Sequence, residues 1–162
     1  MRYTAALVVG PLSLLLAGCA MSDEGQASPE ARIAAAKESA QGAEKVVVEL
    51  IPTSSRIAVS QRPNGVLVSC GDGKQWSGST RVSLASGVAV QSVFDAVTSD
   101  ALESKFTVDE QTSSGGNPRL QLGDDAGNTV YLSPRAGGTG IDIDSFSKCF
   151  SVPADFQDEG TY

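Results

Sequence analysis

The sequence contains no histidine among its 162 residues, and this absence bears on most of the common catalytic centres. A Ser-His or Cys-His nucleophile pair, a His-ligated zinc ion and the usual proton shuttle at neutral pH all need that side chain. Many enzymes work without histidine, so its absence weakens the case for catalysis without excluding it. We therefore expect no cofactor, no metal ion and no enzymatic activity.

Basic residues are also scarce, with 12 lysines and arginines against 19 aspartates and glutamates. The net charge of −7 repels phosphate backbones, and no run of basic residues interrupts it. Nucleic-acid binding is therefore not expected. The hydrophobic content of 41% is typical of a folded protein, and the length suits a single domain. Nothing in the sequence indicates an oligomeric state.

A long hydrophobic run is missing as well. The apolar stretch from Ala5 to Ala17 is broken by Gly10-Pro11 and is shorter than the ~20 residues that a transmembrane helix needs. Arg2 precedes it, and a positive charge followed by a short apolar stretch is typical of a secretory signal peptide.

The four residues Leu16-Ala17-Gly18-Cys19 follow this stretch directly. An aliphatic residue, a small residue, Gly or Ala, and then Cys make a sequence that resembles the lipobox of bacterial lipoproteins. The resemblance implies removal of residues 1–18 as a signal peptide and a diacylglyceryl thioether on Cys19. An ordinary secretory signal with an unrelated cysteine is the alternative.

Acylated Cys19 would hold the protein in the lipid bilayer, because two or more buried acyl chains anchor a protein stably. We therefore expect a protein anchored on the extracytoplasmic face of the cell membrane. Residues 19–27 form a lipidated cysteine and a short flexible tether of small and polar residues. A protein of the cell envelope is a further partner that this location suggests.

The folded domain is expected over residues 28–153 and begins with a helix. Ser28 can cap it, Pro29 suits the first helical position, and apolar residues then recur every three or four positions. The predicted helix runs from about Pro29 to Ile51. The β-branched run Val46-Val47-Val48 could form a strand instead.

Apolar residues alternate with polar ones from Ile57 to Leu84, which predicts three antiparallel strands. Pro63-Asn64-Gly65 is the expected turn between the first two, and Gly71-Asp72-Gly73 is a hairpin signal. Helical spacing returns from Val90 to Leu102. Four short strands are then predicted, at Phe106–Val108, Leu120–Leu122, Val130–Leu132 and Ile141–Ile143.

The predicted fold class is therefore α+β, with element order α-βββ-α-ββββ. A single antiparallel sheet of about six to seven strands would carry both helices on one face. Residues 154–162 form an acidic tail, which we expect to be loose.

If Cys19 is acylated, two cysteines remain with free thiols, Cys70 and Cys149. Outside the cytoplasm two such thiols are expected to form a disulfide. A redox or metal site is the alternative, although Cys-x-x-Cys spacing is absent from the sequence. Trp76 lies between them and is interpreted as a core residue or a residue packed on the disulfide rather than as a ligand platform.

Three groups of polar residues have spacings that could support catalysis or ion binding. Ser145 and Lys148 have the Ser-x-x-Lys spacing of penicillin-binding enzymes, but the partner motifs are missing. Asp142 and Asp144 alternate along a strand, so both point to one face and could share a proton or hold a cation. The third group could ligate calcium, although residues of these types are also common in turns. It consists of Asp124, Asp125 and Asn128.

The body of the chain also resembles small α+β surface lipoproteins of actinobacteria. The matching residues are the stretch Cys70 to Gly73, Trp76 and the pair Cys149-Phe150. These proteins have no assigned activity, so the resemblance implies a fold and no mechanism.

Three functions remain open from the sequence. The first is a non-enzymatic binding or interaction module of the cell envelope. The second is an extracytoplasmic carrier of a small apolar ligand, which would need an apolar pocket larger than about 300 Å³. The third is a carboxylate-based envelope enzyme, with Asp142 and Asp144 converging in a cleft and one pKa raised.

Overall fold

Residues 27–158 and 160–162 are described by the computed structural model. Two helices pack against one antiparallel sheet of seven strands, so the predicted fold class and element order are confirmed. The expected signal peptide, the lipobox-like sequence that ends at Cys19 and most of the expected tether lie outside the described residues. None of the described helices has the length and apolar character needed to cross a bilayer.

The element bounds are close to those expected from the sequence. The helices are α1, Pro29–Leu50, and α2, Val90–Glu103, and a short 3-10 turn covers Thr53–Ser55. The strands are β1, Arg56–Gln61; β2, Val66–Cys70; β3, Gly73–Leu84; β4, Thr107–Thr112; β5, Pro118–Gly123; β6, Thr129–Pro134; and β7, Gly140–Phe146.

Helix α1 begins and ends where its sequence signals predict. The Ser28 hydroxyl accepts a hydrogen bond from the Ala31 backbone N–H at 3.3 Å. The β-branched run stays helical because Val47 and Val48 are buried in the core, and this packing outweighs their preference for strands. Pro52 follows the extended residue at which the helix stops.

The sheet order is β1-β3-β7-β6-β5-β4, and β2 pairs with β3 as well. Both β1 and β2 are antiparallel to β3, so they run in the same direction along one edge of it. The prediction that Pro63-Asn64-Gly65 reverses the chain was therefore wrong. Residues 62–65 form an insertion opposite residues 78–79 of β3, and we call residues 62–65 the edge insertion.

The edge insertion is possible because its backbone groups find other partners. The Arg62 N–H donates to the Ser79 carbonyl at 2.9 Å. Gly65 exchanges two backbone hydrogen bonds with Tyr162, at 2.9 and 3.0 Å. A side chain at Gly65 would overlap the Trp76 ring, so this position needs glycine for the close approach.

Residues 154–162 were expected to be loose, and the structure corrects this. Tyr162 pairs with Gly65, and both Phe156 and Tyr162 pack against the hydrophobic cluster around Trp76. The acidic composition of the segment suggested a loose tail, but the segment also contains two aromatic residues. Burial of their side chains favours packing of the segment against the domain.

The core has two parts. The larger part lies between the two helices and the inner face of the sheet, and the smaller part contains Ile33, Ala40, Leu67 and Trp76. Trp76 is fully buried, which confirms its interpretation as a core residue. The predicted disulfide between Cys70 and Cys149 is formed, with the Cα atoms 6.1 Å apart.

Candidate binding groove on the open face of the sheet

The helices cover one face of the sheet and leave the other open. Strand alternation sends Val82, Leu132 and Ile143 toward the helices, where they are buried. The neighbouring positions therefore point away from the helices. They include Ser77 and Ser79 of β3, Asp142, Asp144 and Phe146 of β7, Tyr131 and Ser133 of β6, and Arg119 of β5.

Two adjoining hollows make a groove across this face. The first, of about 510 Å³, lies beside the edge insertion and is lined by Arg62, Asn64 and Ser79. The second, of about 360 Å³, is lined by Arg119, Tyr131, Ser133 and Phe146. Ser77 and Asp144 line both hollows, and we call the two together the open-face groove.

Strand register places Asp144 at the centre of the open-face groove. On one side it lies opposite Ser79 of β3, and on the other side opposite Tyr131 of β6. Residues opposite each other in neighbouring strands bring their side chains close together on one face. The strand order β3-β7-β6 therefore creates this neighbourhood.

One end of the groove is aromatic. The rings of Tyr131 and Phe146 meet edge to face, with centroids 5.8 Å apart and an interplanar angle of 81°. The Arg119 guanidinium lies 4.4 Å from the Tyr131 ring centroid, at cation–π distance. Its Nη2 also donates to Gln111 Oε1 at 2.6 Å. These contacts hold the aromatic rings in place.

The Asp144 carboxyl group lies in surroundings that raise its pKa. Partial loss of hydration in the groove raises its pKa above the ordinary 3.8, and the negative charges of Asp142 and Glu44 act in the same direction. The positive charge of Arg62 opposes them. Over the described residues, Asp144 has no hydrogen-bond donor and no ion-pair partner within 4 Å.

This raised pKa predicts a pH-dependent effect of Asp144→Asn on stability. A carboxyl whose pKa is raised by folding contributes stability below its ordinary pKa, and that contribution is lost as pH rises through the raised value. The variant lacks this titration. We therefore expect Asp144→Asn to gain stability relative to the wild type between acidic and neutral pH, by a small amount because the side chain is exposed.

Urea unfolding at several pH values between about 3 and 7 measures this difference, because the window spans the titration of an aspartate. A difference in unfolding free energy that stays constant, or that shrinks as pH rises, would contradict the prediction.

The predicted carboxylate pair does share a face of β7, but its two members have different environments. Asp142 Oδ1 lies 3.6 Å from Arg81 Nε and 3.5 Å from Arg135 Nε. Asp142 lines neither hollow of the open-face groove. The two carboxylates therefore do not converge in one cleft.

The other candidate groups have structural roles. Ser145 is buried and donates to Glu44, whereas Lys148 is exposed. Asp124 accepts hydrogen bonds from the backbone and side-chain nitrogens of Asn128, at 2.8 and 2.7 Å, and so holds a turn. Within residues 27–158 and 160–162, no three His, Cys, Asp or Glu side chains are grouped to hold a metal ion.

Sequence reasoning missed a buried carboxylate, Glu44 of α1. Its Oε2 accepts from Thr80 at 2.6 Å and from Gln61 at 2.8 Å, and its Oε1 accepts from Ser145 at 2.6 Å. The signal was present, since Glu44 follows Ala40 and Ala43 at helical spacing and lies on the apolar stripe.

The space between sheet and helices is filled by the larger core. A surface hollow between α1 and the segment after β7 has a volume of about 240 Å³ and is lined by residues such as Ala36 and Phe150. This volume is smaller than that expected for a carrier of an apolar ligand.

No protein-family model matches the chain, and no curated protein matches it. One solved structure is similar, that of a DUF4853 family protein from Actinomyces odontolyticus. The two chains are 19% identical with a TM-score of 0.45, and the match covers 83% of this chain and 73% of that one.

Proposed function

We propose that the chain is a lipid-anchored protein of the bacterial cell envelope that works as a non-enzymatic binding module through its open-face groove. The observation that carries the proposal is the uncovered face of the sheet. A groove there combines an aromatic end, half-buried serine hydroxyls and a carboxylate that has no hydrogen-bond or ion-pair partner among the described residues. The resemblance of Leu16-Ala17-Gly18-Cys19 to a lipobox supports the location.

An uncovered sheet face is chemically suited to binding. Packed strands fix the backbone, so the side chains of Ser77, Tyr131 and Asp144 are held in a set arrangement before a ligand arrives. Such preorganisation lowers the entropy lost on binding. The residues that hold the fold together lie on the opposite face, so the groove is not needed for the core.

A carboxylate-based enzyme is the second candidate, because the raised pKa of Asp144 in a groove is typical of a general acid. A hydrolase that uses two carboxyl groups would need a second one facing the same ligand. Asp142 is instead paired with Arg81 and Arg135. This pairing favours the binding module.

The anchor is tested by intact mass spectrometry of the chain purified from its native membrane. We expect the mass of residues 19–162 plus acyl chains, and an unlipidated mass would overturn the proposed location. Cys19→Ser is the matched variant and should leave the mass without acyl chains.

The binding surface is tested by co-sedimentation of the detergent-solubilised protein with membrane-free cell walls of its host. Ser77→Arg places a long side chain in both hollows, whereas Ser99→Arg makes the same change on an exposed position of α2. We expect Ser77→Arg to reduce co-sedimentation by about tenfold, because the arginine side chain would occupy space that the ligand needs; a tenfold loss of affinity corresponds to about 1.4 kcal/mol. Ser99→Arg should behave as the wild type. Equal behaviour of the two variants would show that the groove is not the binding surface.

A further inference from the structure

The chemistry of the open-face groove narrows the class of ligand that it would bind. Its net charge is small, because the charged side chains that line it are Arg62, Arg119 and Asp144, a balance of one positive charge. The Arg119 guanidinium lies over the Tyr131 ring and donates from Nη2 to Gln111. The groove therefore has no strong electrostatic potential that would attract a highly charged ligand. The ligand must gain its affinity from hydrogen bonds and from contact with the aromatic end.

The polar groups of the groove are those that recognise hydroxyl groups. Ser77, Ser79 and Ser133 offer side-chain hydroxyls that both donate and accept, and Asn64 offers an amide. None of these four side chains makes a hydrogen bond to another side chain within the described part of the protein. Asp144 adds an acceptor of charge-assisted bonds, which are the stronger kind.

The aromatic end provides an apolar surface of matching size. Tyr131 and Phe146 are half-buried, meet edge to face, and both line the hollow. A pyranose ring has C–H groups on its faces and hydroxyl groups around its rim. It can therefore pack on an aromatic ring while its hydroxyls bond to polar groups on either side.

The shape of the groove favours a chain of such rings. The hollow beside the edge insertion and the hollow at the aromatic end are joined through Ser77 and Asp144 and are open to solvent. An enclosed pocket would suit a single small molecule, whereas a shallow groove across several strands suits an extended one.

We propose that the open-face groove binds an uncharged oligosaccharide, with one sugar ring against Tyr131 and Phe146 and the hydroxyls of the next ring bonded to Asp144. This inference rests on the proposed function and names its ligand class. A protein partner could also use this surface, through its charge or its apolar area. The test must therefore distinguish sugar binding from protein binding.

The test is isothermal titration calorimetry of the full mature chain in detergent with four uncharged tetrasaccharides: chitotetraose, cellotetraose, maltotetraose and mannotetraose. We expect binding of at least one of them. Tyr131→Ala and Asp144→Asn should each weaken it by about tenfold or more, because each removes a contact worth over 1 kcal/mol. Asp142→Asn, on the same strand and face but outside the groove, is the matched control and should change the affinity less than about threefold.

Binding of none of the four sugars, or binding that both groove variants leave unchanged, overturns the inference. Urea unfolding of Tyr131→Ala checks that it folds, and Asp144→Asn keeps the test decisive if it does not. If no sugar binds but Ser77→Arg still reduces co-sedimentation with cell walls about tenfold, the sugar class is wrong and the binding surface stands. If Ser77→Arg and Ser99→Arg co-sediment equally, the proposed function itself is wrong.

Discussion

Replacing both Cys70 and Cys149 with serine is expected to lower the free energy of unfolding by about 4 kcal/mol. The bond links residues 79 positions apart, so it removes a large part of the conformational freedom of the unfolded chain. It also holds the segment after β7 against the β2–β3 hairpin, where Phe150 and Lys74 exchange backbone hydrogen bonds at 2.8 and 2.9 Å.

Urea unfolding followed by tryptophan fluorescence measures this loss, because the single tryptophan, Trp76, is fully buried in the smaller part of the core and becomes exposed on unfolding. The wild type in the presence of a reductant should lose the same amount, and the double serine variant should not respond to the reductant. A loss below about 1 kcal/mol in both experiments would show that the bond adds little to folding.

Replacing Glu44 with alanine is expected to destabilise the fold by about 3 kcal/mol or more. The carboxylate joins α1 to three strands through Gln61 of β1, Thr80 of β3 and Ser145 of β7. Alanine would leave the buried hydroxyls of Thr80 and Ser145 without their acceptor and would open a cavity beside them.

Glu44→Gln should cost much less, about 1 kcal/mol, because the amide oxygen can still accept from Thr80 and Gln61 while the Ser145 hydroxyl turns to accept from the new NH₂ group. Glu49→Ala is the matched control on the exposed side of the same helix and should stay within about 0.5 kcal/mol of the wild type. Equal losses for alanine and glutamine would point to the charge, rather than to the hydrogen bonds, as the source of stability.

The helices were predictable because each has strong local signals. The Ser28 cap, Pro29 and the repeat of apolar residues define α1, and its end at Leu50 is one residue from the predicted end. The polar half of β4 was missed, since the predicted strand stopped at Val108 and the observed one continues to Thr112. Those residues are held by pairing with β5, which is not a local property of the sequence.

The alternation of Val66 and Val68 illustrates a further limit of sequence reasoning. Period-two spacing correctly indicates a strand, but the buried residue of β2 is Leu67, whereas Val66 and Val68 are 47% and 36% exposed. The pairing of Leu67 with Trp76 decides which face is buried, and that contact joins two strands.

The open-face groove could be predicted only in part. Asp144 was a candidate because alternation gives its direction, but its expected partner, Asp142, is occupied by arginines. Tyr131 and Arg119 were not candidates at all. Their meeting with Asp144 depends on the order β7-β6-β5, which follows from the whole sheet rather than from any one segment.

The irregular first edge of the sheet also affects how the molecule behaves at high concentration. Ile57, Val59, Val66 and Val68 are exposed along β1 and β2, and a straight apolar edge of this kind would recruit strands from other molecules. A register shift between Arg56 and Ala58 and the four residues of the edge insertion interrupt that edge twice. A strand from another molecule could form regular backbone hydrogen bonds with only a few consecutive residues before the register was interrupted. Fibre growth by pairing at this edge is therefore disfavoured.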